Sequence, residues 1–469
     1  MIKLSDVQTI HIVGIGGISN SAIAEILISK GFRVTGSDLR ESAVTERLRK
    51  AGIPIAIGHD GAHLLLSGNR PDLVAYTAAI DTRNPEIRDA MDHRIPLCSR
   101  AELLGALMEQ YPHSIAVSGT HGKTSTTSMI NHLLEAHTDT TALVGGFIHA
   151  LGSNVKIGTG DVLITEACEY KDSFLSFRPE IGVILNIDED HLDYFSGIDP
   201  IIASFRQFAQ GVRRTLIVNA DDPHTAPVLQ DSHSAATITF GMNVDADLRI
   251  ADIDYDDKAC PRFRLIERNG TETSIALSVP GKHNVYNAAA AFGVALAVLR
   301  AENALTDGLR DELAGRLSTF QNADRRFQHI GIYKGATVVD DYAHHPNEIA
   351  ATIAAAKQMK EIRRILILFQ PHTFTRTKQL LSEFGTAFRG ADLVILSDIY
   401  AAREPNLGEV HARDVVRAIR ESGTDSEYGG DIENTAALAE SRLHPGDLLI
   451  TMGAGDIDRV HKLWFQQKA

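Results

Sequence analysis

The chain has 469 residues, enough for three domains of ~150 each, and its 44% hydrophobic and 23% charged content is that of an ordinary globular protein. Sixty acidic against 46 basic residues leave a net charge of -14, which excludes a broad nucleic-acid or membrane-binding surface and confines anion binding to local cationic pockets. Three widely spaced cysteines, Cys98, Cys168 and Cys260, form neither a disulfide framework nor a zinc motif, so a reducing compartment is expected.

The segment Met1-Ile2-Lys3-Leu4-Ser5-Asp6 leads directly into an apolar strand, Thr9-Ile10-His11-Ile12-Val13. No apolar run approaches the ~20 residues of a membrane span, so a cytoplasmic location with no membrane or nucleic-acid partner is expected. The strand turns through Gly14-Ile15-Gly16-Gly17-Ile18-Ser19 into a helix (Ala22 to Ile28), and a second strand ends at Gly36-Ser37-Asp38. This is a Rossmann-like opening, with an acidic residue about 20 positions after the glycines. Ser19 replaces the third glycine of the dinucleotide fingerprint, so the turn reads as an NAD or FAD site or as a structural turn alone. Strand and turn signals continue through Leu73-Val74-Ala75-Tyr76-Thr77 to about Gln110, where Tyr111-Pro112 marks a boundary.

The middle stretch opens on Ala116-Val117-Ser118-Gly119-Thr120-His121-Gly122-Lys123-Thr124-Ser125-Thr126, an apolar run entering a glycine-bracketed loop. Backbone N–H groups of such a loop and the N-terminus of the following helix face anionic oxygens. Lys123 adds a mobile positive charge, and the Thr124 hydroxyl can hold Mg2+. ATP is the expected ligand. A full Walker A motif carries a glycine where Val117 stands, so this is the shorter Gly-Thr-His-Gly-Lys-Thr form.

Two apolar strands then end in charge. Asp161-Val162-Leu163-Ile164-Thr165 delivers Glu166-Ala167-Cys168-Glu169, and the run from Ile181 to Ile187 delivers Asp188-Glu189-Asp190-His191-Leu192-Asp193. Ligands of open α/β sheets sit beyond the carboxyl ends of the strands, so these residues either face the nucleotide and hold Mg2+ or are solvated acidic caps. Glu166 with Thr124 suits one ion and His191 another.

Residues 215–280 read as β-rich. Pro280-Gly281-Lys282-His283-Asn284-Val285-Tyr286-Asn287 then leads into an alanine-rich helix, where Asn287 either bonds a base or caps the helix. From about Asn322 the α/β rhythm returns, with strands at 336–340, 365–369, 393–396 and 448–451. Polar groups follow the first three: Asp341-Tyr342-Ala343-His344-His345-Pro346, Gln370-Pro371-His372-Thr373-Phe374-Thr375-Arg376-Thr377 and Ser397-Asp398-Ile399-Tyr400. The fourth enters the turn Gly453-Ala454-Gly455-Asp456. Helix capping is the alternative role for any single histidine.

The phosphate loop, the two acidic strand ends (the second preceded by Asn186), Lys282 to Asn287, Asp324-Arg325-Arg326-Phe327 and Asp341 to Pro346 stand in the order of the Mur ligases. The chain resembles that family of ATP-dependent, amide-forming enzymes of peptidoglycan precursor synthesis over essentially its whole length. Gly14 to Ile18, Asp341 to Pro346 and Phe369 to Thr377 resemble the branch that adds L-alanine. Several sister branches use a carbamylated lysine about fifteen positions after the histidine matching His191. Here that position is Arg206, and no lysine lies between Lys171 and Lys258. Two departures stand out: Ser19-Asn20-Ser21 for Gly-Met-Ser, with Asn20 able to alter how the diphosphate is held, and Glu166-Ala167-Cys168-Glu169 for Glu-Ala-Asp-Glu, with Cys168 as a packed small residue.

The resemblance implies an α/β, three-domain architecture: a Rossmann-like domain for UDP-N-acetylmuramate (1–109), a central P-loop ATPase-type domain (110–321) and a C-terminal Rossmann-like domain for the amino acid (322–469). It implies ATP and Mg2+, with two ions and Mn2+ able to substitute, and a monomer or weak homodimer acting on UDP-N-acetylmuramate and L-alanine. Gly16, Gly17 and Asp38 would contact the nucleotide sugar. Gly119, Thr120, His121, Gly122, Lys123, Thr124, Ser125, Asn287, Arg326 and Asp341 would hold ATP. Thr124, Glu166 and His191 would bind metal, and Tyr342, His344, His372 and Arg376 the amino acid. Lys123, Glu166, His191, His344 and Arg376 form the expected catalytic set. The alternatives are a recycling ligase joining a whole tripeptide to the same nucleotide sugar, an NAD-dependent oxidoreductase, and a non-catalytic nucleotide-sugar-binding protein.

Overall fold

The structure, a computed structural model, describes residues 2–77, 80–148, 153–230, 235–302, 304–402 and 404–465. It divides into two compact units: Met1–Asn186 with Ile202–Val218 and Pro223–Ile238, and Ile187–Ile201 with Asn219–Asp222 and Thr239–Ala469.

In the first unit, five parallel strands (Thr9–Val13, Arg33–Asp38, Ile55–Ile57, Leu73–Tyr76 and Leu97–Ser99) lie in the order third, second, first, fourth, fifth. Thr9–Val13 is buried along its whole length, as a central parallel strand covered on both faces requires. Strand order reverses between the first and fourth strands, which places a ligand crevice beyond Val13, where the glycine turn stands. Helix starts follow local capping: Ser42 and Thr45 cap Ala43–Lys50 reciprocally, and Ser99 and Glu102 do so for Arg100–Met108.

A second sheet in this unit centres on His113–Ser118, flanked in parallel by Val162–Glu166 and Ile181–Ile184. Thr141–Ile148 continues it on one side, with Ser153–Lys156 as an antiparallel edge, and Thr215–Asn219 lies on the other. The strand expected over 181–187 stops at Ile184. The chain stays beside the loop, however: Leu185 N–H donates to Ser118 O at 3.1 Å and Asn186 O accepts from Thr120 N–H at 3.1 Å.

The second unit holds an antiparallel set, Leu248–Tyr255, Pro261–Glu267 and Glu272–Ala276, in keeping with the β-rich reading. The helix Lys282–Ala301 has the length and hydropathy of a membrane span, contrary to the expectation that no run approaches one. Its apolar window is 83% buried inside the protein, as in the core helix of a globular fold. Six strands build the C-terminal sheet in the order Gln328–Tyr333, Ala336–Asp341, Asp447–Met452, Arg364–Phe369, Leu393–Ser397, Ser426–Gly430. Only the first pairs antiparallel. Two of these strands escape the sequence reading: Gln328–Tyr333, whose register shifts between His329 and Gly331, and Ser426–Gly430, which ends in two glycines. Both lie at sheet edges, where apolar patterning is weakest.

Candidate active site

The N-terminal glycine turn is fastened from below. Gly14 and Ile15 donate their N–H groups to the Ser37 carbonyl at 2.8 and 3.0 Å, and Gly16 N–H donates to Asp38 Oδ2 at 2.8 Å. A Cβ on Gly16 would lie 2.8 Å from that oxygen and 3.0 Å from Thr45 Cγ2, so a side chain there would push Asp38 off this bond. Asn20 is buried and donates from Nδ2 to Gly14 O at 3.0 Å, so this departure acts on the turn itself. Beneath lies a buried network absent from the sequence reading. The Ser37 hydroxyl donates to Glu86, whose carboxylate also meets His11 Nε2 at 2.8 Å and His59 Nδ1 at 2.7 Å. Burial opposes the Glu86 charge, yet the bonds from His11 and Ser37 hold its carboxyl below the usual range. The helix Ile18–Ser29 starts at Gly17 with no side-chain cap, and Gly17, Ile18 and Ser19 are exposed, an end suited to an anion.

In the phosphate loop, Gly119 takes a φ of +136°, and a Cβ there would meet Leu185 Cβ at 3.0 Å and Asn186 N at 3.2 Å. Gly122 is the left-handed N-cap of the helix Lys123–Leu134. Asn186, which the sequence offered only as part of a motif, pins the loop: Oδ1 accepts from His121 N–H at 2.8 Å and Nδ2 donates to His121 O at 3.0 Å. Its signal was an amide just past an apolar strand, but its partner lies 65 positions away.

Lys123 Nζ donates to Gly119 O, to Thr120 O at 3.1 Å and to Glu169 Oε2 at 3.1 Å. Burial opposes its charge, but Glu169, then Cys168 and Glu166, hold its pKa above the ordinary lysine value, so it is a cation at neutral pH. Thr124 and Ser125 are buried on the first helical turn. Glu166 is the last residue of its strand, and its Oε1 accepts from Gly145 N–H at 2.5 Å. The Cys168 thiol is pushed up by burial and then by Glu169, which fits a packed residue and not a nucleophile. Arg206 donates from Nη2 to Pro227 O at 3.1 Å.

In the second unit, Asn287 lies inside the helix Lys282–Ala301, which is capped by Gly281, so the capping alternative falls. It is buried and donates to Asn284 Oδ1 at 3.0 Å. Of the two consecutive arginines, Arg325 is consumed by Asp340 Oδ2 (3.0 Å), Gly455 O (2.9 Å) and Gly453 O (2.6 Å). Arg325 and Arg326 both rest over the Tyr342 ring, each at 5.2 Å. Asp341 accepts from Ala343 N–H (2.8 Å) and Phe327 N–H (2.9 Å). Burial lifts its carboxyl to about 6 against these bonds and Arg326. Burial and then Arg326 push His283 down to about 4, so its ring is neutral at pH 7.

Tyr342, His344 and His372 form a line of rings, with centroids 5.6 Å apart for the first pair and 6.0 Å for the second. His344 Nδ1 faces Tyr342 O at 3.0 Å, which fixes the proton on Nδ1 and leaves Nε2 as an acceptor. Burial pushes this histidine down to about 4 despite Glu348. Arg376 Nη1 donates to His372 O (2.9 Å) and Nδ1 (3.2 Å), while Nε and Nη2 donate to Asp190 Oδ1 at 3.3 and 2.8 Å. A forked pairing of Arg376 with an amino-acid carboxylate would thus meet competition from Asp190, and of its five N–H donors the bonds to described residues leave one on Nη2. Asp190 Oδ1 also accepts from His191 N–H at 2.7 Å, bracing His191 at a φ of +54°. Such left-handed backbone in a non-glycine residue is a strained state held by its surroundings. Thr373 Oγ1 and Thr375 N–H both donate to Glu404, and His372 stacks on Tyr400 at 5.7 Å, so a second loop clamps the His372 to Arg376 turn.

Comparison with known proteins covers nearly all of this framework. Residues 9–112 match the catalytic domain of the Mur ligase family, 117–295 the Mur ligase middle domain and 325–455 the Mur ligase glutamate ligase domain. A UDP-N-acetylmuramate–L-alanine ligase of Caldanaerobacter subterraneus is 44% identical, covering 99% of each chain. One from Acetivibrio thermocellus is 44% identical over 98% of this chain and 96% of its own. Among solved structures, the UDP-N-acetylmuramate–alanine ligase of Thermotoga maritima superposes with a TM-score of 0.76 at 27% identity, covering 98% of both chains. A murein peptide ligase from Psychrobacter arcticus reaches 0.69 at 23% identity with the same coverage, a likeness of fold alone.

Proposed function

The chain belongs to the Mur ligase family, and we propose from this that it joins L-alanine to the carboxylate of UDP-N-acetylmuramate at the expense of ATP, in the cytoplasm, giving UDP-N-acetylmuramoyl-L-alanine, ADP and phosphate. The observation that carries this reading is the full-length identity to L-alanine-adding relatives, joined to a phosphate loop whose lysine is held as a cation. We take three domains, 1–109, 110–321 and 322–469.

A carboxylate does not condense with an amine in water until one oxygen becomes a leaving group. ATP achieves this by phosphorylating the muramoyl carboxylate, and the first obstacle is like-charge repulsion, about 4 kcal/mol for two unit charges about 4 Å apart at an effective dielectric of about 20. Lys123 offsets it, and the N-terminus of the helix Lys123–Leu134, which starts at Gly122, orients the phosphates. The Thr124 hydroxyl, the Glu166 carboxylate and the buried Glu169 Oε1, which has no hydrogen-bond partner among the described residues, are oxygen donors of the kind that suits Mg2+. Bound there, the ion supplies further neutralisation of phosphate charge; His191 offers a donor for a second one, and Mn2+ can substitute. The amine of L-alanine then attacks the acyl phosphate, and the tetrahedral intermediate expels phosphate. Gly16, Gly17 and Asp38 serve the nucleotide sugar, Asn287, Arg326 and Asp341 the nucleoside, and Tyr342, His344, His372 and Arg376 the amino acid. With a pKa near 4, His344 orients the amine through Nε2 and is too weak a base to deprotonate an ammonium.

Incubation with UDP-N-acetylmuramate, MgATP and L-alanine should release phosphate and give a product heavier by one alanine residue. Activity with L-Ala-γ-D-Glu-meso-diaminopimelate alone would move the chain to the recycling branch, and silence with both would reduce it to a binding protein. Two further outcomes follow from the site. The KM for ATP should rise as pH falls through about 6, because the raised Asp341 carboxyl becomes protonated there, losing its charge and turning one acceptor oxygen into a donor, while His283 and His344 stay neutral down to about 4. A flat KM between pH 5 and 7 would remove Asp341 from the nucleotide site. Glu404→Ala should raise the KM for L-alanine about tenfold with a smaller change in kcat, since its bonds to Thr373 and Thr375 position the turn and do not touch the reacting atoms. An unchanged KM would show that the turn holds itself.

A further inference from the structure

Lys123 is fully committed before any nucleotide arrives. An ammonium has three N–H donors, and here they meet Gly119 O, Thr120 O and Glu169 Oε2. To bond a phosphate oxygen, Lys123 must release one of them. Gly119 and Thr120 belong to the lysine's own loop, four and three positions before it, whereas Glu169 is a separate, charged partner reached across 46 positions of sequence. It is also the partner that repels an incoming triphosphate.

Release of Lys123 leaves Glu169 in difficulty. Its side chain is only 3% exposed, and its other oxygen, Oε1, has no hydrogen-bond donor among the described residues even with the lysine in place. A buried carboxylate stripped of its counter-charge is one of the costlier states a protein can hold. A proton or a positive group must therefore replace Lys123, and a divalent cation carried by the nucleotide meets that need in the same event that brings the triphosphate, with oxygen ligation.

We propose that Glu169 is a positioning residue that makes nucleotide entry conditional on the cation: it holds Lys123 back until the metal that accompanies the triphosphate takes the lysine's place at Glu169. The inference rests on the reading of the Gly119 to Lys123 loop as the ATP site. It gives Glu169, beside the oxygen it offers a metal, a role that Thr124 and Glu166 lack, because Glu169 touches the lysine and Glu166 is bonded to Gly145 N–H.

The test is the equilibrium affinity of a non-hydrolysable ATP analogue for the full-length protein, measured calorimetrically in excess EDTA and in excess Mg2+. The wild type should bind the Mg2+ complex at least about tenfold more tightly than the free analogue, the equivalent of one charge-assisted bond. Glu169→Gln, which keeps the shape and removes the charge, should improve metal-free binding and weaken binding with Mg2+, so that the ratio collapses toward one. A ratio unchanged in Glu169→Gln and Glu169→Ala, with circular dichroism of the native fold, would reduce Glu169 to a structural role and overturn the proposal. Should neither variant fold, equal wild-type affinities with and without Mg2+ would overturn it equally. Failure to bind in both buffers would sink the ATP-site reading as well, whereas binding with an unaltered ratio would sink only the exchange.

Discussion

Replacing Lys123 by alanine is expected to lower turnover at least about a hundredfold, the effect of deleting one preorganised group that stabilises charge developing in the transition state. The same change should also destabilise the fold, because Glu169 then sits buried without the cation that compensates it. The two consequences separate in a double variant. Lys123→Ala with Glu169→Gln removes the orphaned charge and should recover most of the melting temperature while leaving turnover as low as in the single variant. Phosphate release at saturating ATP and L-alanine, read beside thermal denaturation of both variants, decides the matter. Turnover restored along with stability would mean that Lys123 acts on the fold and not on the phosphate.

What could be read from the sequence depended on how local the signal was. The phosphate loop, the glycine turn and the strand ends at Glu166 and Asp341 are each one strand running into a few residues, so motif and geometry coincide. The four C-terminal strands legible in the sequence are buried runs such as Ile365 to Phe369. The two C-terminal strands it missed, Gln328–Tyr333 and Ser426–Gly430, lack such runs. Functional pairings were hidden for a different reason: Lys123 with Glu169, Asn186 with His121, and Asp190 with Arg376 join residues 46, 65 and 186 positions apart. Composition at either end does not reveal such a pairing, since an acidic residue after a strand reads the same whether it binds metal, holds a lysine or caps a loop. The two arginines show the limit well. Both lie over the Tyr342 ring, and only the structure shows that Arg325 is also spent on Asp340 and two carbonyls.

The Asp190–Arg376 pair carries the other large effect, because one carboxylate sustains two catalytic-type residues. Its Oδ1 receives Arg376 and also the His191 N–H that stabilises the left-handed backbone of His191. Both partners are nearly buried, with side chains 11% and 14% exposed, so breaking the pair leaves a guanidinium uncompensated at a cost of about 3–5 kcal/mol. Asp190→Asn keeps the shape and one acceptor, and should fall at the lower end of that range. It should also lower kcat/KM for L-alanine on the order of a hundredfold, since a displacement of about 1 Å in Arg376 or His191 is enough. The acid limb of the stability curve gives an independent reading. Burial alone would raise the Asp190 carboxyl, but Arg376, then His191 and His344, hold it well below the usual range. A depressed carboxyl contributes stability at every pH above its unfolded value, about 4, and that contribution drains away as pH falls below it. The wild type should therefore lose stability steeply below about pH 4, and Asp190→Asn should lose less over the same interval. Wild-type melting temperature and kcat/KM in the variant would show that Arg376 and His191 are held by something other than Asp190.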